Sequence, residues 1–162
     1  MTVPKGRRKD SKFEVFHHST SLRLRVMELI SRNFGYRRKP KEGLPEFEAM
    51  VQENTFRFLR KEQEYVIEIL RDMSSNITMA NKVYPTMLEE LTERRIYQDR
   101  AIARCYDLAN ELTFCMELLP NVNINTYLPY ADMINKQVAL LKGWRKSDNR
   151  LKDSIMAKAN KK

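Results

Sequence analysis

Arginine and lysine are the side chains of this protein best suited to chemistry, and that chemistry is the binding of phosphate. They gather at Lys5, Arg7, Arg8 and Lys9; at Arg37, Arg38, Lys39 and Lys41; at Arg94, Arg95, Arg100 and Arg104; and at Lys142, Arg145, Lys146, Arg150 and Lys152. A guanidinium is a planar fork that matches two phosphate oxygens, whereas an ammonium offers the same anion a point charge. Tyr97 lies close enough to Arg94 and Arg95 to offer a ring for stacking on a base. Those arginines also have Glu90, Glu93 and Asp99 within reach on a helix surface, so ion pairing is the competing reading. The last cluster leans more firmly toward an external anion. Residues 140–162 hold 8 Lys/Arg and 2 Asp/Glu, which leaves most of that charge without a local counter-ion.

Other chemistries lack their residues. The chain has 4 scattered glycines and no Gly-x-x-x-x-Gly-Lys loop, so a phosphate cradle of that kind is absent. The 2 histidines are the adjacent pair His17 and His18, whose side chains diverge on a helix. No Cys-x-x-Cys, His-Glu-x-x-His or Glu-x-x-His spacing exists to hold zinc or a di-iron centre. Carboxylates such as Glu89 with Glu90, and Glu62 with Glu64, read as solvated helix faces. No catalytic residue, metal ligand or cofactor is expected. Cys105 and Cys115 share one helical segment about 15 Å apart, too far to bridge, and read as buried, reduced thiols.

The net charge of +9 is unevenly spread. Residues 1–41 carry 12 basic and 3 acidic side chains, residues 42–139 carry 10 and 16, and residues 140–162 carry 8 and 2. An acidic body with basic ends points to an anionic partner, nucleic acid being the commonest. No apolar run approaches the ~20 residues that span a membrane, and no apolar segment follows the basic N-terminus. A soluble, cytoplasmic protein is the expectation.

The elements that must position these residues are helices. Residues 1–18 read as a flexible basic arm. Helices are expected over about 20–35, 45–82, 86–119 and 125–156, with a basic tail at 157–162. Pro45 suits a first turn, Pro85 and Pro120 mark boundaries, and apolar residues recur at spacings of three and four. The stripe of the last helix runs through Tyr127, Tyr130, Ile134, Val138, Leu141, Trp144, Leu151 and Ile155, with a gap at Asp148. Long helices with short connections predict an all-α, antiparallel up-and-down four-helix bundle over 19–156. Gly143 precedes Trp144, the only tryptophan. A helical glycine forgoes about 1 kcal/mol relative to alanine, which makes sense where another helix or chain comes close. Gly143 and Trp144 are therefore expected to serve packing or assembly.

The segments Arg94–Tyr106, Leu118–Asn125 and Ala139–Asn149, the last with its Gly-Trp pair, resemble the accessory variability determinant proteins of diversity-generating retroelements. Those are relatives of the four-helix proteins encoded in intervening sequences of 23S ribosomal RNA genes. The likeness covers roughly residues 50–150 and is best in 94–149. It implies a homopentameric barrel of four-helix protomers without a catalytic site, and two kinds of partner: the element's reverse transcriptase and template-repeat RNA or its cDNA. Such a protein supports mutagenic cDNA synthesis. The alternative is a structural bundle of the ribosomal intervening-sequence type, binding RNA with no reverse transcriptase. The residues expected to meet nucleic acid are Arg37, Arg38, Lys39, Arg94, Arg95, Arg104, Lys142, Arg145, Lys146, Arg150 and Lys152.

Overall fold

The computed structural model describes residues 12–159, which are helical with no strand among them. Helix α1 spans Lys12–Ser31, α2 Glu46–Lys82, α3 Leu88–Leu118, α4 Leu128–Ser147 and α5 Asn149–Ala159. The two long middle helices fall close to their expected bounds, and their ends have local causes. Glu46 and Glu48 occupy the positive first turn of α2, and the Ala49 N–H is bonded to the Pro45 carbonyl at 2.9 Å. Before α3, the Glu90 carboxylate reaches back to accept from the backbone of Thr86 at 2.6 Å and of Met87 at 3.2 Å. These bonds hold the Glu90 carboxyl below its ordinary range. They also satisfy donors that the helix itself leaves orphaned.

The outer elements differ from expectation. Helix α1 begins at Lys12, so residues 12–18 belong to the bundle; the rest of the expected arm, residues 1–11, lies outside the described residues. Val15 is completely buried, and Ser19, a residue type that favours helix N-caps, is buried inside the helix. Burial of an apolar residue such as Val15 contributes about 1.5–3 kcal/mol, enough to extend the helix past the sequence cap. The helix expected over 125–156 is two helices, broken at Asp148. Of the expected basic tail, residues 157–159 close α5, and 160–162 lie outside the described residues.

Each helix packs on the next in sequence, and α4 returns to pack on α1, so four helices surround one core. Leu22, Leu59, Met73, Leu108 and Leu141 lie at or near zero exposure in that core. Named pairs fix the register: Phe58 meets Phe114 with ring centroids 6.0 Å apart, and Asp72 meets Arg104 at 3.1 Å. On the other side, His18 meets Gln137 at 2.8 Å and Phe16 lies 6.5 Å from Trp144. Both cysteines are free and buried, as expected, and Cys105 lies 3.5 Å from the Met73 sulfur. The first turn of α2 is not core: Phe47 is 71% exposed, with Met50 and Val51 also outside.

Helix α1 ends in an unusual turn. Asn33, Phe34 and Gly35 all have positive φ, of 52°, 58° and 85°. For the buried Phe34 this costs backbone strain. Its side chain is fully buried and its carbonyl accepts from the Tyr127 hydroxyl at 2.6 Å, so burial and a hydrogen bond hold the turn.

Candidate nucleic-acid interface

The basic residues of α3 and α4 separate by face. Successive residues of a helix point about 100° apart, so Arg94 and Arg95 meet different surroundings. Arg94 turns inward. Its Nε lies 3.1 Å from Asp148, its guanidinium sits 5.0 Å above the Trp144 ring, and only 8% of the residue is exposed. Asp148, 2% exposed, also accepts a hydrogen bond from Gln98 at 2.9 Å. The expectation that Arg94 meets phosphate is therefore corrected: it is an internal counter-ion committed to Asp148. Trp144 is buried within its own protomer by Phe16 and Arg94, and the preceding Gly143 is half-buried in α4.

Arg95 turns outward toward α4. It lines a cleft of about 500 Å³ with Asp99, Lys142, Arg145, Lys146 and Asn149. Positions 95 and 99 are one turn apart on α3, and 142, 145, 146 and 149 fall on the facing side of α4 and the start of α5. Arg95 donates to the Asn149 side-chain oxygen, and Arg145 pairs with Asp99. Lys142 donates to the Tyr106 hydroxyl at 2.9 Å, its ammonium 5.6 Å from the ring centre. Lys146 is exposed and has no side-chain partner among the described residues. The cleft thus gathers four cations around a single carboxylate. Arg150 and Lys152 continue the charge onto α5, exposed and without an ion-pair partner among the described residues.

The other expected residues lie elsewhere. Arg104 faces α2 and is shared between Asp72 at 3.1 Å and Asp107 at 2.9 Å, so two carboxylates offset its charge. Arg38 pairs with Glu53 at 2.9 Å and lies 4.5 Å above the Phe56 ring. The Lys39 ammonium is 3.7 Å from Glu48, and its backbone exchanges hydrogen bonds with the Gln52 amide at 2.7 and 3.2 Å. This segment is a strap tied to α2. Of its basic residues Arg37 alone is exposed without a partner among the described residues, facing a second cleft of about 690 Å³ with Tyr36, Phe47 and Asn121.

Tyr97, expected to stack on a base, packs partly against the core beneath Arg100. The aromatic at the cleft edge is Tyr106, 46% exposed. Its spacing of seven from Asp99 places it on the same helix face, a signal present in the sequence but masked by the nearer Tyr97. The carboxyl pair across α2 and α3 was also missed. Glu62 is buried, one of its oxygens lacks a hydrogen-bond partner, and its pKa is pushed up to about 7, first by burial and then by Glu111.

Among the described residues no group of three or more His, Cys, Asp or Glu could hold a metal ion, and no helix is long and apolar enough to cross a membrane. No known protein family, curated protein or solved structure matches the chain.

Proposed function

We propose that this protein is a non-catalytic, nucleic-acid-binding helical bundle whose phosphate-contacting surface is the α3–α4 cleft and its continuation on α5. One observation carries the reading: Arg95, Lys142, Arg145 and Lys146 converge from two helices on one open cleft that holds only Asp99 as a counter-charge. Four cations matched by one carboxylate, one amide and one hydroxyl are costly to bring together unless an anion visits them. A phosphodiester backbone supplies anions at the spacing of neighbouring helical side chains.

The segments resembling the accessory variability determinant proteins extend the proposal to a role beside a retroelement reverse transcriptase and its template RNA. The cleft falls within the best of those segments, which supports the extension. Two finer architectural readings accompany it. Pairs such as Phe58 with Phe114 and Asp72 with Arg104 have numbers that rise in one helix as they fall in the next, which favours antiparallel neighbours. Assembly into a pentamer rests on the resemblance, and solution mass tests it directly.

The binding test is fluorescence anisotropy of labelled single-stranded RNA over a salt series. Replacing Lys142, Arg145 and Lys146 together with glutamine is expected to weaken binding at least tenfold. The logarithmic salt slope should become shallower by about 0.7 for each lost contact to a single strand. Undiminished binding by that variant would remove the cleft from the interface. Co-purification with a reverse transcriptase tests the wider role.

A further inference from the structure

We infer that Asp99 is a built-in competitor of phosphate, an internal anion that holds Arg145 until a phosphate displaces it. The inference rests on the nucleic-acid reading of the cleft and concerns how that cleft is regulated.

Among the described residues Asp99 is the only acid lining the cleft, and it pairs with Arg145. Both side chains remain wet, 55% and 42% exposed, so their attraction is weakened by water and salt. A backbone phosphate offers the same guanidinium fork two oxygens and one negative charge. Its neighbours on the strand engage the other cleft cations at the same time, which a lone carboxylate cannot do. The exchange therefore runs toward the ligand at little cost to the fold.

The neighbouring cations are tied differently. Arg95 is held by the neutral amide of Asn149, and Lys142 by the neutral Tyr106 hydroxyl. Neither partner carries a charge that would repel an entering anion. Asp99 alone both occupies a cation and repels phosphate. Its removal should therefore add one phosphate contact to the cleft as well as strengthen binding. Arg94 and Asp148, one layer deeper, stay paired throughout, because neither is exposed.

The test compares Asp99→Asn with Asp107→Asn. Both substitutions raise the net charge equally, but Asp107 pairs with Arg104 on the α2 side of α3, away from the cleft. Two probes are titrated, inorganic pyrophosphate and a single-stranded RNA. The expected result is three- to tenfold tighter binding by Asp99→Asn, with a salt slope for RNA steeper by about 0.7, and neither change in Asp107→Asn. Adding Arg145→Gln to Asp99→Asn should abolish the gain. Equal affinities for wild type and Asp99→Asn would overturn the inference, as would an equal gain in Asp107→Asn. If pyrophosphate behaves as expected but neither protein binds RNA, the competitor role stands and the nucleic-acid reading fails.

Discussion

Arg94 and Asp148 meet at 3.1 Å inside the joint where α3 supports the break between α4 and α5, with 10% and 3% of their side chains exposed. The pair sets where the last helix changes course, and Asn149, the next residue, holds Arg95 at the cleft wall. A structural ion pair thus stands directly behind the binding surface.

Removing one partner of such a pair strands a buried charge. Asp148→Ala is expected to lower stability by about 3–5 kcal/mol, read from urea unfolding. Replacing both partners with apolar residues, Arg94→Met with Asp148→Leu, should recover most of the loss. A single substitution that leaves the unfolding midpoint in place would show that the pair contributes nothing.

The strained turn after α1 gives a smaller effect. Tyr127→Phe deletes the hydroxyl that donates to the Phe34 carbonyl and leaves that buried acceptor unpaired. The expected loss is about 1–3 kcal/mol, measured by thermal melting, with helical content unchanged.

Much of this arrangement could be read from residue spacing. The long helices α2 and α3 were legible because apolar positions recur over many turns, and their ends carry Pro45, Pro85 and Pro120. The polar members of the core sit in the same pattern, although Glu62 reads as part of a solvated face and Arg94 as a phosphate contact until their burial is seen. Glu62 falls between Leu59 and Val66 at spacings of three and four; Arg94 and Gln98 fall between Leu91 and Ala101; Asp148 follows Trp144 by one turn. A polar residue at a core spacing is a buried polar residue, and the gap at Asp148 was such a sign. Its partner was not legible, because the pairing of α3 with α4 is set by packing between segments distant in sequence. The start of α1 was obscured because a serine suitable as a cap lies within the helix.

The Glu62 site predicts a pH dependence. Its pKa of about 7 lies above the ordinary 4.5, so the folded state holds this proton more tightly than the unfolded chain does. The resulting stabilisation is complete below about pH 4.5 and is lost as pH rises through 7. Glu62→Gln should therefore gain stability relative to wild type between pH 5 and 8. A gain on the order of 1–2 kcal/mol allows for partial solvent screening. Parallel stability curves for the two proteins would contradict this.

The cysteines give a kinetic readout. Burial pushes both thiols up to about 12, and Glu62 and Glu111 add to the effect at Cys115. Since the thiolate is the reactive form, native protein should react with a thiol reagent at least a hundredfold more slowly than protein in denaturant. A rapid stoichiometric reaction at neutral pH would show that the core opens readily.

Helix α1 is anchored on α4 by contacts such as His18 with Gln137, 119 positions apart. On a ribosome, the N-terminal helix therefore emerges long before its principal support exists. Helices α2 and α3 are neighbours in the chain and can pair early, since short loop closure is the faster step. During that interval Val15 and Leu22 have no complete cavity to enter. Cotranslational folding of this protein should thus end with a late docking step, and a nascent chain halted before α4 would present an apolar helix to chaperones.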